Sequence, residues 1–248
     1  MISALAITYN EEEHIERFIK SLSFADEIII VDAHSTDKTV DIAKSLDANV
    51  IIRDFENFSS QKNFAIEQAK HDWIVFFDLD ELISPELAQE IQSKISSNND
   101  AVAYKVKRNF YFMGKRINYS GFQNDAVVRV FKKTAGRYNS NLVHETLEVN
   151  GKTETLKQSS DHFSYKNFDL YNEKLTRYSK LQAETLYQQN VRPNAFHFFI
   201  KPWWRLFHQF CIKLGFLDGK EGFILAYLSA FAVFKRYLFL WTKYRNIE

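Results

Sequence analysis

Three carboxylates that follow an apolar stretch provide the first chemical signal in the sequence. Asp78, Asp80 and Glu81 come directly after WIVFF, whose composition is typical of a buried strand. Side chains alternate between the faces of a strand, so Asp78 and Asp80 point the same way if the extended conformation continues. Two like charges this close repel unless a cation or a shared proton compensates them. From these residues alone, a solvated strand end and a cation site are equal alternatives.

The segments around these acids predict a regular alternation of strands and helices. Apolar runs at ISALAIT, EIIIVDA, ANVIIRD and DWIVFFDLD predict strands, and the segments between them have helical periodicity. Such βαβ units imply a parallel sheet, whose ligands bind beyond the carboxyl ends of the strands. The polar residues at those ends are Thr8, Tyr9 and Asn10 after the first strand, Asp32 after the second, and Asp78 and Asp80 after the fourth.

Several polar residues also predict where helices begin. Asn10, with Glu13 three residues later, has the spacing of a helix cap. Ser35 or Thr36 can cap the helix predicted at DKTVDIAKSL. Ser84 stands before a proline, which predicts a helix that begins there.

From Ala101 to Leu156 the pattern changes to runs of β-forming residues, which predict an antiparallel or mixed extension of the sheet. Asn150-Gly151 has the composition of a hairpin turn within this region. After Asp161 helical periodicity returns, beginning with LYNEKLTRYSKLQAETLYQQ. We therefore expect an α/β protein with a helical C-terminal part.

Composition limits the class of protein. With 248 residues the chain is long enough for one large domain, or for one domain with an appendage. Its 46% hydrophobic and 25% charged residues are those of a globular chain. The single Cys211 excludes an internal disulfide framework and a cysteine-rich zinc site. The N-terminal residues lack the features of a signal peptide, and we expect a cytoplasmic protein.

Charge is distributed unevenly along the chain. Residues 1–100 carry 8 Lys or Arg against 20 Asp or Glu, whereas residues 191–248 carry 9 against 3. Neither G-x-x-x-x-G-K-[ST] nor G-x-G-x-x-G occurs, which excludes phosphate cradles of those two kinds. An acidic half that binds a phosphorylated ligand needs a metal ion, and a basic end suits an anionic surface.

The basic C-terminal end is also rich in aromatic residues, with 16 between Phe196 and Tyr244. Its longest uncharged run, from Gly222 to Phe234, is shorter than the roughly 20 residues of a membrane-spanning helix. Aromatic and basic residues without a span predict helices that lie on a membrane surface, over residues 196–245. Helical packing against the sheet domain, or a dimer interface, is the alternative.

Four short motifs in the first hundred residues resemble those of the family 2 glycosyltransferases. They are TYNEE at 8–12, VDAHSTDKT at 31–39, QKNFA at 61–65 and FFDLDE at 76–81. Three further segments resemble a smaller subgroup of this family, the lipopolysaccharide core glucosyltransferases. They are RVF at 129–131, HE at 144–145 and GFLDGKEGFILA at 215–226. The resemblance implies the GT-A fold and an inverting transfer of a sugar from a nucleotide sugar.

The resemblance also implies a metal ion. An acidic site holds the diphosphate of a nucleotide sugar through a divalent cation, and carboxylates suit Mg²⁺ or Mn²⁺. Asp80 is expected to ligate the metal directly, and Asp78 to contact the ribose, or the metal through water. The metal would neutralise charge on the departing diphosphate.

Further residues match the nucleotide-binding positions of the family. The matching residues are Thr8, Tyr9, Asn10 and Glu11 in the base-and-ribose loop, Asp32 as the acceptor for the uracil ring N–H, and Lys62 and Asn63 beside the nucleotide.

An inverting transfer needs a carboxylate or imidazole that takes the proton from the acceptor hydroxyl. The candidates are Glu145, Asp125 and His144. Glu145 is preferred because the family's base is usually an acid that follows the metal strand, but the commoner Glu-Asp pair does not occur. His162 is either a metal or phosphate ligand or a structural histidine, and Arg129 either steadies a phosphate or makes a salt bridge.

The prediction is an α/β protein of the GT-A fold, with a mostly parallel central sheet flanked by helices and an aromatic-rich, basic helical extension. We expect a glycosyltransferase domain at 1–190, with a nucleotide-binding half at 1–100 and an acceptor-side half at 101–190, and the extension at 191–248. The expected reaction moves glucose from UDP-glucose to a glycan or glycolipid, as in a lipopolysaccharide core, on the cytoplasmic face of the inner membrane. A non-catalytic nucleotide-sugar-binding scaffold is the alternative.

Overall fold

The computed structural model describes residues 1–97, 99–123, 125–139, 146–165 and 168–247. The strands are β1 (Ile2–Thr8), β2 (Glu27–Asp32), β3 (Asn49–Ile52), β4 (Trp73–Phe76), β5 (Glu81–Leu82), β6 (Ala101–Phe112), β7 (Lys115–Ile117), β8 (Ala126–Lys132), β9 (Gly136–Tyr138), β10 (Leu147–Val149) and β11 (Lys152–Tyr165). The α-helices are α1 (Ile15–Ser21), α2 (Thr39–Ser45), α3 (Phe58–Gln68), α4 (Pro85–Ser96), α5 (Phe168–Gln188), α6 (Lys201–Phe207) and α7 (Lys220–Tyr244). Two π-helical turns, Phe196–Ile200 and His208–Ile212, flank α6, and a 3-10 turn, Gly215–Asp218, precedes α7.

The chain forms two compact units. The first unit comprises residues 1–108 and 125–162, and the second comprises residues 109–124 and 163–248. These units are defined by contacts within the chain, and the predicted domain at 1–190 stays a prediction.

The main sheet has the strand order β3-β2-β1-β4-β8-β6-β11-β5, with β7 paired to β6. β3, β2, β1 and β4 run parallel to their neighbours, as expected for successive βαβ units. β8 then pairs antiparallel with both β4 and β6, as predicted for an antiparallel or mixed extension. β9 and β10 form a separate two-stranded sheet. The carboxyl ends of β1, β2 and β4 therefore meet at one edge of the parallel part.

The core lies on both faces of the parallel strands. Neighbouring residues of β2, Ile29 and Ile30, point to opposite faces, and each is fully buried. Ile30 packs in the cluster that contains residues of α1 and α4, and Ile29 packs in the cluster that contains residues of α3. Burial on both faces explains why β2 reads as the continuous apolar run EIIIVD rather than as an alternating one.

The predicted helix starts are partly right. Ser84 caps α4 as predicted, because its side chain accepts a hydrogen bond of 3.2 Å from the backbone N–H of Leu87. The cap predicted at Asn10 is wrong, since α1 has His14 at its N-cap and no side-chain cap. The Asn10 side chain instead accepts a hydrogen bond of 2.8 Å from the backbone N–H of Thr36. The local pattern predicted that the Asn10 side chain caps α1, but it bonds to Thr36, which is distant in the sequence.

The predicted turn at Asn150-Gly151 joins strands that do not form the expected hairpin. Gly151 has a φ of 134°, a conformation that favours glycine. However, β10 pairs with β9, whereas β11 joins the main sheet. A Cβ at Gly151 would lie 2.6 Å from the Val102 side chain in β6, so the turn packs closely against the main sheet. A 14-residue strand gains more partners there than in a short hairpin.

The second unit is mainly helical, and α7 packs against both α5 and α6. Ala183 of α5 and Tyr237 and Leu240 of α7 form one of its buried apolar clusters. Lys235 of α7 is also buried, and its ammonium donates to the Asn172 side chain at 2.9 Å.

The GFLDGKEGF segment has a structural role within the second unit. The Asp218 carboxylate is 4% exposed and accepts hydrogen bonds from the backbone N–H groups of Asn118 (2.9 Å) and Tyr119 (3.0 Å). A Cβ at Gly222 would lie 1.9 Å from the Gly215 carbonyl oxygen, so this contact requires glycine. The segment therefore joins the 3-10 turn, the start of α7 and the loop near residue 118.

One helix in the described part of the chain, Lys220–Tyr244, is long and apolar enough to cross a membrane by length and composition. Its most apolar window has a mean hydropathy of 1.6, and 39% of that window is buried. The expectation that no segment is long enough is thus wrong by this criterion, because the helix continues past the uncharged run through Lys235 and Arg236. The burial of Lys235 against α5 is typical of a helix packed within a protein unit.

Candidate active site

The last residues of β1 and β2 form the first part of the site. Thr8 and Asp32 are partners in the parallel register, and Thr8 Oγ1 donates to Asp32 Oδ2 at 2.8 Å. The fully buried Asp32 carboxylate also accepts hydrogen bonds from the backbone N–H (2.8 Å) and the hydroxyl (2.5 Å) of Ser35. Ser35 therefore serves this carboxylate and not the start of α2, where it was predicted to be a cap. These contacts organise the loop after β2, and the contact of Asp32 with a uracil ring stays a prediction.

The loop after β1 is held by hydroxyl groups that follow β2. The backbone N–H of Asn10 donates to Ser35 Oγ (2.8 Å), and that of Glu11 donates to Thr39 Oγ1 (2.7 Å). Asn10 has a φ of 54°, a left-handed conformation that asparagine adopts more easily than most residues. Tyr9 is 59% exposed at this loop. The loop thus presents an aromatic ring at the carboxyl edge of the sheet.

Lys62 and Asn63, which are neighbours on α3, have different partners. The buried Lys62 ammonium lies 3.8 Å from Asp78 Oδ1 and 5.0 Å from the centroid of the Tyr138 ring. Asn63 instead makes two hydrogen bonds with the backbone of Tyr138, donating to its carbonyl and accepting from its N–H, both at 2.9 Å. Lys62 therefore lies beside the candidate site residue Asp78, whereas Asn63 attaches β9 to α3.

Asp78 follows β4 and has two cations beside it. Arg129 Nη2 lies 2.5 Å from its Oδ2, and the Lys62 ammonium lies 3.8 Å from its Oδ1. Burial raises the pKa of Asp78, but the charges of Arg129 and then Lys62 outweigh this and hold the pKa well below its usual value of 3.8. The protein's own cations therefore relieve the repulsion expected between Asp78 and Asp80.

A chain of carboxylates and arginines extends from Asp78 through the interior of the first unit. Glu81 is fully buried, and its Oε1 accepts hydrogen bonds from Arg129 (2.6 Å) and Arg108 (3.2 Å). Arg108 in turn binds Asp125 through two hydrogen bonds of 3.0 and 2.9 Å. Burial lowers the pKa of Arg129, but the charges of Asp78 and Glu81 raise it well above its usual value. We refer to these five residues as the carboxylate–arginine chain.

Asp80 lies outside the carboxylate–arginine chain and has a histidine beside it. Its Oδ2 is 3.2 Å from His162 Nε2, and the two side chains are 38% and 15% exposed. The antiparallel pairing of β5 with β11 places His162 opposite Glu81, which brings the imidazole to the end of β4. The acids of FFDLDE therefore have a charged or titratable partner each, with Arg129 beside Asp78 and His162 beside Asp80.

The donor atoms of Asp80 and His162 fit a divalent cation. A carboxylate oxygen and an imidazole nitrogen that meet at a partly exposed point suit Mn²⁺, and the oxygen suits Mg²⁺ as well. If Asp80 and His162 held such a cation, other oxygen ligands would have to complete its coordination. Within the described ranges there is no group of three or more His, Cys, Asp or Glu side chains arranged to hold a metal ion.

Of the three candidates for the base, only Asp125 lies within the described residues. Asp125 is 31% exposed and is held by Arg108 at the end of the carboxylate–arginine chain. Glu145 and His144 lie outside the described residues. The assignment of the base therefore stays a prediction.

Arg108 is the site residue that sequence reasoning missed. In the alternating segment AVAYKVKRNF it shares a strand face with Tyr104, Val106 and Phe110, all of which are buried. An arginine on a buried strand face needs a carboxylate partner. That requirement could have indicated a buried ion pair at Arg108. Arg129, which the sequence analysis did name, is the other arginine of the carboxylate–arginine chain.

Curated relatives match along nearly the whole chain. An uncharacterized glycosyltransferase of Rickettsia bellii is 34% identical over 95% of this chain and 84% of its own length. A lipopolysaccharide core biosynthesis glycosyltransferase of Rhizobium meliloti, LpsC, is 28% identical over 95% of this chain and 93% of its own length.

Two solved structures share the fold at low sequence identity. A mannosyltransferase from Pyrobaculum calidifontis, in complex with GDP-Man and Mn²⁺, has a TM-score of 0.57 and 14% identity over 98% of this chain and 87% of that chain. Glucosyl-3-phosphoglycerate synthase from Mycobacterium tuberculosis has a TM-score of 0.52 and 17% identity over 79% of this chain and 81% of that chain. The predicted GT-A fold is thereby confirmed.

The family model described as glycosyl transferase family 2 matches residues 3–201, which is most of the chain. The relatives that match over 95% of the chain carry the same activity in their names. The chain is a glycosyltransferase and belongs to glycosyl transferase family 2.

Proposed function

We propose that this glycosyltransferase moves a hexose, glucose from UDP-glucose, to a hydroxyl of a lipopolysaccharide-core-type glycan, in a metal-dependent reaction that inverts the anomeric carbon. The observation that carries the proposal is the Asp80–His162 pair, which lies beside Asp78 at the carboxyl edge of the parallel strands. Ligands of open α/β sheets bind at this edge. The named activity of the Rhizobium meliloti relative supports the acceptor class.

Asp80 and His162 would hold the divalent cation in this proposal. When bound, Mn²⁺ or Mg²⁺ supplies positive charge that stabilises the leaving diphosphate. Lys62 and Arg129 would add positive charge from the protein, since both lie beside Asp78 at the same edge. Asp78 would orient the ribose, because its carboxylate stays ionised and is 36% exposed.

The two loops at the ends of β1 and β2 would receive the nucleoside. Tyr9 is exposed where a base can stack on it. Asp32 holds Thr8 and Ser35 in place, and Ser35 in turn holds the backbone of Asn10. In this proposal the carboxylate of Asp32 acts mainly by keeping the loop in one conformation.

Glu145 remains the proposed base, and Asp125 the second candidate. Both oxygens of Asp125 already accept hydrogen bonds from Arg108, whereas a base needs an oxygen aimed at the acceptor hydroxyl. The variants E145Q and D125N separate the candidates. Loss of the base lowers the rate of transfer to the acceptor by about 10²- to 10⁴-fold. If D125N causes this loss and E145Q does not, Asp125 is the base.

The metal assignment is tested with matched variants of two Asp–His pairs. Release of UDP from UDP-glucose, in the presence of Mn²⁺ and acceptor, should fall about 10³-fold in D80N. His34 and Asp54 form a similar pair at 2.7 Å, but Asp54 is 98% exposed, so D54N should keep the wild-type rate. H162A should raise the Mn²⁺ concentration needed for half-maximal rate by about 10- to 100-fold. Full activity of D80N would refute the metal assignment, and a screen of UDP-, GDP- and dTDP-sugars identifies the donor.

The proposed contact with the membrane rests on a row of exposed side chains. It comprises Phe196, Phe199, Ile200, Trp203 and Trp204, which we call the aromatic stripe. Spacings of three and four residues place them on one face of a helical segment, and each is at least 50% exposed. The same segment carries lysine and arginine without Asp or Glu. An apolar helical face bordered by cations is typical of a helix that lies on an anionic membrane.

Co-sedimentation with vesicles tests this contact. The protein should bind vesicles that contain anionic lipid at low salt, and F199S/W203S should bind at least about tenfold more weakly because two exposed aromatic anchors are lost. I52S/F58S removes two exposed apolar side chains from the first unit and is the matched control. Binding by F199S/W203S that equals the wild type would exclude the aromatic stripe as the membrane contact.

A further inference from the structure

The second unit contains a groove of about 650 Å³ between α5, α6 and α7. Four basic residues line it: Lys201, Arg205, His208 and Arg236. Its described lining contains no Asp or Glu. All four lie within residues 191–248, where 9 Lys or Arg stand against 3 Asp or Glu.

The cations of the groove are not compensated by carboxylates of the protein. Among the described residues, no carboxylate lies within ion-pair distance of Lys201, Arg205 or Arg236. The Lys201 ammonium donates to the Tyr237 hydroxyl at 2.7 Å, which is a neutral partner. The Nε of Arg236 is buried without a hydrogen-bond partner in the described structure. A buried guanidinium donor without an acceptor is costly, and a bound group with acceptor oxygens would satisfy it.

The charges in the groove also act on one another. Burial lowers the pKa of Arg236, contacts with Tyr237 oppose this, and the charge of Arg205 lowers it further. Both guanidinium groups line the groove, and their like charges repel. An anion bound between them would remove the repulsion and accept hydrogen bonds from both.

We propose that this groove binds a phosphomonoester group. A phosphomonoester carries close to two negative charges at neutral pH and three acceptor oxygens, which match two arginine forks and a lysine. Gln182 of α5 and Ser229 of α7 line the same groove and supply further neutral donors. The groove lies within the second unit, and none of the residues assigned to the donor site belongs to it.

Two sources can present this chemistry, a lipid head group and a soluble phosphorylated compound. Trp204 lines the groove and is also part of the aromatic stripe, so the groove opens beside the proposed membrane contact. Basic pockets between helices at a membrane surface are typical sites for anionic head groups. The lipid source rests on the proposed membrane contact, whereas binding of a free phosphate does not.

Free phosphate is tested first, with the full-length protein in EDTA. Inorganic phosphate should bind the wild type and raise its melting temperature, and R205Q/R236Q should bind at least about tenfold more weakly because two charge-assisted contacts are lost. K220Q/R245Q removes the same charge from exposed positions at the two ends of α7 and should bind like the wild type. D80N should also keep phosphate binding, so failure of the donor-site proposal and failure of this one are distinguishable.

A second variant distinguishes loss of phosphate binding from loss of folding. S229E places a carboxylate inside the groove, where it can pair with the arginines. It should raise the melting temperature in the absence of phosphate and abolish the further rise on adding phosphate. A variant that is more stable but no longer responds cannot have lost binding by unfolding.

Vesicles then distinguish the two sources. Phosphatidic acid carries a phosphomonoester, whereas phosphatidylglycerol carries a phosphodiester, and both are presented in phosphatidylcholine at equal surface charge. A preference of at least about threefold for phosphatidic acid that is lost in R205Q/R236Q supports the lipid source. Binding of free phosphate without this preference supports a soluble phosphorylated compound. If neither free phosphate nor phosphatidic acid distinguishes the wild type from R205Q/R236Q, the groove is not a phosphomonoester site.

Discussion

In the first unit Arg129 lies between two carboxylates, Asp78 and Glu81, at 2.5 and 2.6 Å. In the second unit Arg205 and Arg236 line one groove together, with no carboxylate in its described lining. The first unit therefore supplies the counter-charges of Arg129 itself, whereas the second unit leaves those of Arg205 and Arg236 to a ligand. Arginines thus have two uses in this chain: the buried, paired Arg129 keeps a site in shape, and the more exposed Arg205 and Arg236 are available to bind.

The largest expected effect comes from breaking the pairing in the first unit. R129Q leaves Glu81 buried with a weaker partner and leaves Asp78 with Lys62 alone, so the free energy of unfolding should fall by about 3–5 kcal/mol. Chemical denaturation measures this change. R137Q is the control, because Arg137 makes an exposed pair with Glu67 and its loss should cost at most about 0.5 kcal/mol. Equal effects of R129Q and R137Q would contradict the structural role of the carboxylate–arginine chain.

A smaller, pH-dependent effect is expected for D78N. The pKa of Asp78 is lowered in the folded protein, so its stabilising contribution is fully present above its unfolded pKa and is lost as the pH falls towards the folded pKa. The stability difference between wild type and D78N should therefore be constant from pH 7 to about pH 5 and shrink below about pH 4. It should be smaller than that of R129Q, because Asp78 is 36% exposed and solvent screens its charge. A difference that grows on acidification would show that the sign is wrong.

The smallest effect, of opposite sign, is expected in the groove. R236Q removes one of two repelling arginines, so in phosphate-free buffer the free energy of unfolding should stay the same or rise by up to about 1 kcal/mol. Added sodium chloride should stabilise the wild type more than R236Q, since salt screens the repulsion that R236Q has already reduced. Thermal unfolding at several salt concentrations measures both. If R236Q destabilises the protein as much as R129Q does, the two units do not differ in their use of charge.

The parallel part of the fold could be predicted because its signals are local. Each βαβ unit has a continuous apolar strand, and the polar residues at the strand ends follow from the direction of the chain. Ser84 was predicted correctly as a cap because its partner, Leu87, is three residues away. Asn10 was not, because its partner, Thr36, is 26 residues away and belongs to another loop.

The partners of the acids in the site could not be predicted, because they too lie far away in the sequence. The motif at residues 76–81 indicated a cation site, but it gave no sign that Arg129 would take Asp78 while His162 lies beside Asp80. Both partners come from antiparallel strands whose register depends on the whole sheet. The hairpin expected at Asn150-Gly151 was wrong for a related reason. The turn at Gly151 could be recognised from the sequence, but the strand that pairs with β11 could not.

Trp204 gives the second unit a built-in optical reporter. Its indole lines the groove on one side and is 51% exposed on the other, so an occupied groove and a nearby acyl chain would change its surroundings in different ways. The chain has only four tryptophans, and Trp73 in the first unit is stacked on Tyr104. In a W73F/W203F/W241F background, tryptophan fluorescence would come from Trp204 alone. Quenching by an aqueous solute and a blue shift on lipid could then be read from one side chain without a label.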